Sequence, residues 1–292
     1  MKRNFLFLPV CGLLLAGAMG SCSKPESVET PNETTDSSAV DKPAWEDTIT
    51  FRITFGEGDR TRGSLEDAKV SELWLMDFVN GELQQTIHQQ KTDAGFGSVS
   101  MAVSYGMHAL RLIASAGSGA AVADSIITWT KPGDTFFSAD TIDIQPQGSK
   151  SVTLHLKRIA TRLRVSISDE IPADFAQLGI AATWYYGLNV KSGEATGEQS
   201  AERTISVPAT YAGTTGQLTA GFYSLCPVAG YTTDATITAR DADGAALRSI
   251  SLTGVPLQRN RITAYSGEMF QNTRSVGLDV DTDWADALEV TW

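Results

Sequence analysis

Cysteine and histidine are scarce in this sequence, which limits what can hold the fold together. Three cysteines and three histidines occur among 292 residues. Cys11 and Cys22 lie close to the amino terminus, so Cys226 has no second cysteine in the rest of the chain. The sequence therefore predicts a fold without disulfides, stabilised by its hydrophobic core, in which Cys226 is an inert buried thiol.

The sequence also lacks the motifs of the common enzyme classes. Its histidines are His88, His108 and His155. Each stands apart from other histidines and cysteines, and no nucleophile elbow, zinc-protease or phosphate-binding glycine motif is present. The stretch 279–290 starts like a calcium loop, but Trp284 and Val290 occupy the places that require glycine and glutamate. We predict no catalytic residue, no metal site and no cofactor. An exported hydrolase whose carboxylates meet in a cleft is the least favoured alternative.

A single apolar run is long enough to suggest a targeting segment, and it lies at the amino terminus. Two basic residues precede the stretch 5–19, and two small residues stand directly before Cys22. The run is too short for a good membrane-spanning helix and has the order of a secretory signal. It resembles a bacterial lipoprotein signal, with Met19 where leucine is usual. We predict that residues 1–21 are removed and that Cys22 carries lipid; an ordinary signal with a free Cys22 is the alternative.

The sequence has too few basic residues to bind a negatively charged partner. Without the signal, 21 basic side chains stand against 34 acidic ones, a formal charge of about −13. This charge disfavours binding to nucleic acid or to anionic lipid headgroups. The lipid, rather than charge, is therefore the predicted link to a membrane.

Apolar residues are nearly absent from 22–45, which is rich in Pro, Ser, Thr and Glu. Such a segment cannot bury enough surface to offset the entropy lost on ordering. We predict a flexible tether there.

Helical periodicity is lacking after residue 45, and short alternating strands are present instead. In 47–55 every second residue is apolar, while threonine and arginine lie between. The apolar positions are Ile49, Phe51, Ile53 and Phe55. A second stretch, 70–79, is apolar on both faces, as in a central strand covered on both sides, and Asn80-Gly81 after it is typical of a hairpin. The sequence predicts an all-β protein with a half-buried first strand.

A basic loop follows the first strand. Arg60 and Arg62 stand among glycines in 56–63. This composition is typical of an exposed loop that a trypsin-like protease can cut.

The chain beyond the tether is too long for one small sandwich. In 151–168 the apolar positions switch from even to odd residue numbers, so the inward face changes within 157–162. A single unbroken strand cannot do this; the chain either contains a bulge there or leaves one sheet for another. We predict an N-terminal sandwich over 46–150 and a C-terminal one over 151–292.

The densest cluster of aromatic residues lies at 183–187. Trp184 and Tyr186 share one strand face and Tyr185 lies on the other, so at least one ring belongs to the core. Exposed rings could stack on sugars, which keeps glycan binding as an alternative.

Several stretches together resemble the Bacteroidales fimbrillins. They are the lipoprotein signal, the acidic tether, a first strand ending in a TRG-like loop, and the stretches ELWLMDFVNGEL, LHLKRIATRLRV, AGFYSLCPVAGY and LQRNRITAYSGEMF. The resemblance spans nearly the whole chain beyond the signal. It implies two transthyretin-like Greek-key β-sandwiches in tandem, export as an outer-membrane lipoprotein to the cell surface, and a role as shaft, tip or anchor of a fimbria.

The resemblance also implies a mode of assembly. A cut after Arg60 or Arg62 would release the first strand, and the tail of another subunit would take its place by strand exchange. The tail of this chain offers two candidate donor strands. Their apolar residues are Val276, Leu278 and Val280 in one, and Leu288, Val290 and Trp292 in the other. The first strand and the tail are then expected at sandwich edges.

The implied partners are other fimbrial subunits, the outer membrane through the lipid on Cys22, and a host protein or glycan, but no nucleic acid. Two alternatives share the signal and the tether. An anchor would keep its lipid and its first strand, and a non-polymerising lipoprotein that binds glycans would be a stable monomer with aromatic rings aligned on one platform.

Overall fold

A computed structural model describes residues 46–55, 65, 68–148, 150–271 and 276–279. The described residues form seventeen β-strands and one 3₁₀ turn. The first strands are β1 (Glu46–Phe55), β2 (Glu72–Val79), β3 (Glu82–Gln90), β4 (Val99–Ser104), β5 (Gly106–Ser115), β6 (Ser118–Ala123), β7 (Ile126–Lys131), β8 (Thr135–Ile144) and β9 (Ser151–Arg158). The later strands are β10 (Ala160–Ile167), β11 (Gln177–Asn189), β12 (Glu194–Ser206), β13 (Leu218–Leu225), β14 (Tyr231–Arg240), β15 (Ala246–Leu257), β16 (Ile262–Gly267) and β17 (Val276–Asp279). The prediction of an all-β protein is confirmed. The predicted signal, the tether 22–45 and Cys22 lie outside the described residues.

Strands from the first half of the chain form one sheet in the order β3-β2-β5-β8-β9-β1-β4. This sheet forms two layers, which are joined by β9. The start of β9 pairs with β1, and the end of β9 pairs with β8, where Arg158 lies opposite Phe136. Alternate residues of both layers, among them Ile49, Met101 and Leu112, meet in one hydrophobic cluster. The period-two apolar pattern supplies this shared core, since successive side chains point to opposite faces of a strand.

Strands from the second half form a second sheet in the order β15-β14-β11-β13-β10-β16-β17, with β12 on the other edge of β11. Its two layers are linked by a single residue pair, Tyr185 with Leu225. A second hydrophobic cluster, which includes Leu163, Trp184 and Phe222, fills the space between the layers. The two sheets therefore form sandwich-like arrangements with separate cores.

The hairpin of β6 and β7 connects the two sheets. It lies between β5 and β8 in sequence, yet β7 pairs with β11 at Gly187, Leu188 and Asn189 in the second sheet. A third hydrophobic cluster surrounds it, in which the rings of Trp74 and Trp129 meet edge to face at 6.1 Å. Because β2 is covered on this side and on the side of the first core, it is apolar on both faces, as predicted.

The chain passes from the first sheet to the second at Ile159, between β9 and β10. The switch of the inward face is thus a change of sheet and not a bulge. Next to it, the buried Arg158 donates from Nε to Asp134 at 2.7 Å and from Nη1 to the side chain of Asn260 at 2.7 Å. This arginine joins β8 and β9 to the turn before β16. The division into domains 46–150 and 151–292 stays a prediction.

Candidate functional site: the slot filled by the first strand

The first strand lies between two others. On one side β1 pairs antiparallel with β4, through Glu46 to Phe51, and on the other it pairs in parallel with β9, through Thr50 to Phe55. We call the channel between β4 and β9 the β1 slot. The prediction that the first strand lies at a sandwich edge is wrong. Alternation of apolar residues reports which face of a strand is buried, and it carries no information on the strand's lateral neighbours.

Apolar side chains hold β1 in its slot. Ile49 and Phe51 are only 1% and 2% exposed. Ile53 and Phe55 are half-buried, and the ring of Phe55 meets that of Phe136 edge to face at 5.1 Å. Full burial of one such side chain contributes about 1.5–3 kcal/mol. Hydrophobic contact on one face and two hydrogen-bond ladders therefore stabilise β1 together.

Polar contacts lie at both ends of β1. Near its end, the Thr54 hydroxyl lies 2.8 Å from Nδ1 of His155 on β9. At its start, Asp47 forms an ion pair with Lys150. The Lys150 side chain is 54% exposed, so this pair adds little stability.

Loss of β1 would expose both walls of the slot. The backbone groups of β4 and β9 that now bond to β1 would lose their partners, and unpaired backbone groups away from water are costly. The apolar side chains of Met101 on β4 and Leu154 on β9, both buried beside β1, would lose their cover. An emptied slot therefore has the chemistry of a strand-binding groove.

A buried polar pair fixes the β4 wall. His108 on β5 lies with Nδ1 2.8 Å and 2.9 Å from the two carboxylate oxygens of Asp77 on β2. Its Nε2 lies 3.1 Å from the carbonyl oxygen of Ser104, the last residue of β4. In each of these contacts the oxygen accepts from the ring nitrogen that carries the proton. No local pattern in the sequence signals this pair, because its partners are 31 residues apart along the chain.

The structure describes only part of the predicted assembly machinery. Arg60 and Arg62 follow Phe55 closely in the sequence, but both arginines lie outside the described residues. Val276 and Leu278 lie in β17, which pairs antiparallel with β16 at the edge of the second sheet. Cys22, Val280, Leu288, Val290 and Trp292 lie outside the described residues. The expectation of a tail at a sandwich edge therefore agrees with the position of β17.

The aromatic cluster at 183–187 is divided between the core and the surface, with Trp184 buried and Tyr185 and Tyr186 half-buried. Trp184 is fully buried, and its indole Nε1 donates to the carbonyl of Ala201 at 2.9 Å. The ring of Tyr185 meets that of Tyr231 edge to face at 4.9 Å. Burial, followed by the hydrogen bond to Glu198, raises the pKa of Tyr185. Trp184 thus has no surface on which a sugar could stack.

Cys226 lies in the second sheet as a free, buried thiol. Burial raises its pKa to about 12. A thiol is nucleophilic only when deprotonated, so Cys226 is inert at neutral pH.

No group of three or more His, Cys, Asp or Glu side chains in the described part of the chain could hold a metal ion. None of the helices in that part is long and apolar enough to cross a membrane.

Residues 122–291 match the model of a family of unknown function, DUF6562. The chain belongs to this family. The matched segment runs from the β6–β7 hairpin to the tail and includes β8 and β9, so β1 and β4 of this DUF6562 member lie before it and the β9 wall of the slot lies within it. No curated protein matches the chain.

Solved structures share the fold of this DUF6562 chain at low sequence identity. A candidate adhesin from Bacteroides ovatus is 15% identical, with a TM-score of 0.53 over 86% of this chain and 98% of its own. A candidate adhesin from Bacteroides thetaiotaomicron is 11% identical, with a TM-score of 0.52 over 83% and 98%. A structure from the same organism described as a candidate polysaccharide-binding protein is 9% identical, with a TM-score of 0.52 over 83% and 98%. The resemblance to the fimbrillins is confirmed at the level of the fold.

Proposed function

We propose that this chain is a structural and adhesive subunit of a cell-surface fimbria, exported as an outer-membrane lipoprotein through Cys22. The position of β1 carries the proposal. Its first half is bonded to β4 and its second half to β9, and the segment with Arg60 and Arg62 follows Phe55 in the sequence. A single cut in that loop would separate β1 from the rest of the chain, after which its slot could accept another strand.

The tail of a second subunit is the proposed replacement strand. A donor for this slot needs apolar residues at every second position, to match Ile49, Phe51 and Ile53. Both halves of the tail meet this requirement. Their apolar positions are Val276, Leu278 and Val280, and Leu288, Val290 and Trp292. The donor would form two ladders with its host, which makes the joint strong without a covalent bond.

The neighbours in fold support a surface adhesive role, because two are described as candidate adhesins. A host protein or a glycan is the proposed receptor. The burial of Trp184 removes the most prominent ring that a sugar platform could use. The polymerising subunit is therefore favoured over a monomeric glycan-binding lipoprotein.

The mature amino terminus of the protein from its native cell surface tests the proposal. Intact mass and terminal peptide mapping should place it at Thr61 or Gly63. A chain that starts at lipidated Cys22 and still contains β1 would be an anchor or a monomeric lipoprotein, and proteolytic activation would then be wrong.

A second experiment tests assembly directly. Limited trypsin treatment of the full chain should produce polymers that sedimentation velocity detects. The matched control carries Arg60→Gln and Arg62→Gln, which removes both cleavage sites and leaves β1 unchanged. Polymers of the control, or a cut wild-type chain that stays monomeric, would contradict strand exchange.

A further inference from the structure

One outward face of the second sheet carries arginine and apolar side chains together. Leu163 and Val165 of β10 point into the core, so their neighbours along the strand point outward. Residues paired with those neighbours on β13 and β16 share this face. The arginine face, as we name it, consists of Arg162, Arg164, Gly221, Tyr223, Ile262 and Ala264.

Two aliphatic residues on this outward face are buried. Ile262 is 4% exposed and Ala264 is 2% exposed. Their hydrophobic cluster has one further member among the described residues, the half-buried Tyr223. An outward sheet face normally meets water and carries polar side chains. The burial of Ile262 and Ala264 therefore indicates a cover over the arginine face.

Arg162 lies flat on the same face. A Cβ at Gly221 would lie 2.1 Å from its Nε, so a side chain there would displace the guanidinium from this position. The guanidinium also lies 5.4 Å from the centre of the Tyr223 ring. Its Nε is buried and has no hydrogen-bond partner within the described part of the chain. Buried donors are nearly always paired, so the cover should supply an acceptor.

The segment 280–292 has the position and the chemistry of that cover. It follows β17, whose last residue, Asp279, lies opposite Ala264 on β16. It therefore begins at the edge of the arginine face. Its thirteen residues could extend about 40 Å, whereas three neighbouring strands span only about 10 Å. Its acidic residues are Asp281, Asp283, Asp286 and Glu289, and its large apolar residues are Val280, Trp284, Leu288, Val290 and Trp292.

We propose that residues 280–292 dock on the arginine face of their own chain, with a carboxylate at Arg162 and apolar side chains over Ile262 and Ala264. The four acids and the arginines are complementary in charge. Docking does not depend on polymerisation and holds for an isolated monomer. Where the tail also serves as a donor strand, it must first leave this face, so docking would compete with assembly.

Photo-cross-linking on the full chain tests the docking. p-Benzoylphenylalanine replaces Thr219, an exposed residue of β13 beside the arginine face, and peptide mass spectrometry identifies the cross-linked segment. We expect cross-links to 280–292 within one chain, and mixed isotope labels separate them from cross-links between chains. The same probe in place of Thr204 on β12 is the control and should not reach 280–292.

Charge variants test the contact at Arg162. Arg162→Gln should lower the yield of the cross-link several-fold, whereas Arg248→Gln, an exposed arginine of β15, should leave it unchanged. Raising the salt concentration should lower the yield of the cross-link in the wild-type chain. This test does not depend on whether a variant folds. Cross-links to a second copy or to 22–45 would overturn the proposal. A yield of the cross-link to 280–292 no higher than that of the control would also overturn it. Equal yields with Arg162→Gln and Arg248→Gln, together with no effect of salt, would overturn the contact at Arg162.

Discussion

The first and the last described strands are held in opposite ways. β1 lies inside its sheet, hydrogen-bonded to β4 and β9, with Ile49 and Phe51 buried. β17 lies at the edge of its sheet and is bonded only to β16 among the described strands. Removal of β1 would break two hydrogen-bond ladders and expose a hydrophobic core, whereas removal of β17 would break one ladder. Release of β1 would therefore disrupt its sheet, whereas release of β17 would need only local opening.

The largest expected effect is at the floor of the β1 slot. Phe51→Ala should lower the free energy of unfolding by about 4 kcal/mol, since a buried phenylalanine leaves a cavity. Arg52→Ala, on the exposed face of the same strand, should change it by less than about 0.5 kcal/mol. Urea unfolding measures both. Similar losses would show that β1 is not held by its buried face.

The β4 wall should be nearly as sensitive. His108→Leu leaves the buried Asp77 carboxylate without its partner and should cost about 3 kcal/mol. The double variant with Asp77→Leu removes both polar groups and should recover most of this loss. A double variant as unstable as the single one would mean that the pair does not support the wall.

Hydrogen exchange compares the two strands directly. Amides of β1 should exchange at least about 100-fold more slowly than those of β17, because β1 opens only with its sheet and an edge strand opens locally. Mass spectrometry of peptides that cover each strand measures the ratio. Equal protection would remove the distinction between an inserted strand and an edge strand.

Alkaline pH should loosen the second sheet before the first. Burial raises the pKa values of Cys226, to about 12, and of Tyr231. Both groups are neutral below their unfolded pKa values, so their stabilisation is complete there and is lost as pH rises towards the folded values. The slope is at most about 1.4 kcal/mol per pH unit for each group. Cys226→Ala should remove the part of the slope between pH 9 and 12, measured by urea unfolding; an unchanged slope would contradict the assignment.

The smallest expected effect is at the entrance of the slot. Lys150→Ala removes the ion pair with Asp47 and should cost less than about 1 kcal/mol, because Lys150 is exposed. The loss should shrink further in high salt. A loss as large as that of Phe51→Ala would mean that charge, and not burial, holds β1.

Local features of the fold follow from the sequence with good accuracy. The period-two pattern of 47–55 predicts β1 and its inward residues. The pair Asn80-Gly81 predicts the turn between β2 and β3, where both residues have positive φ values of 52° and 81°. The apolar stretch around Cys226 predicts its burial. Each of these features depends on residues that are neighbours along the chain, so a short stretch of sequence is enough to predict it.

Tertiary structure alone decided which strands meet. The same alternation in 47–55 fits an edge strand as well as an inserted one, and the pairing of β7 with β11 joins residues about 60 apart. His108 and Asp77, or Arg162 and Gly221, become partners only when their strands align. Alternation determines the face that a side chain takes, because that depends on backbone geometry. Lateral order depends on the competition of all strands for hydrogen-bonding edges, and no single stretch of sequence encodes that competition.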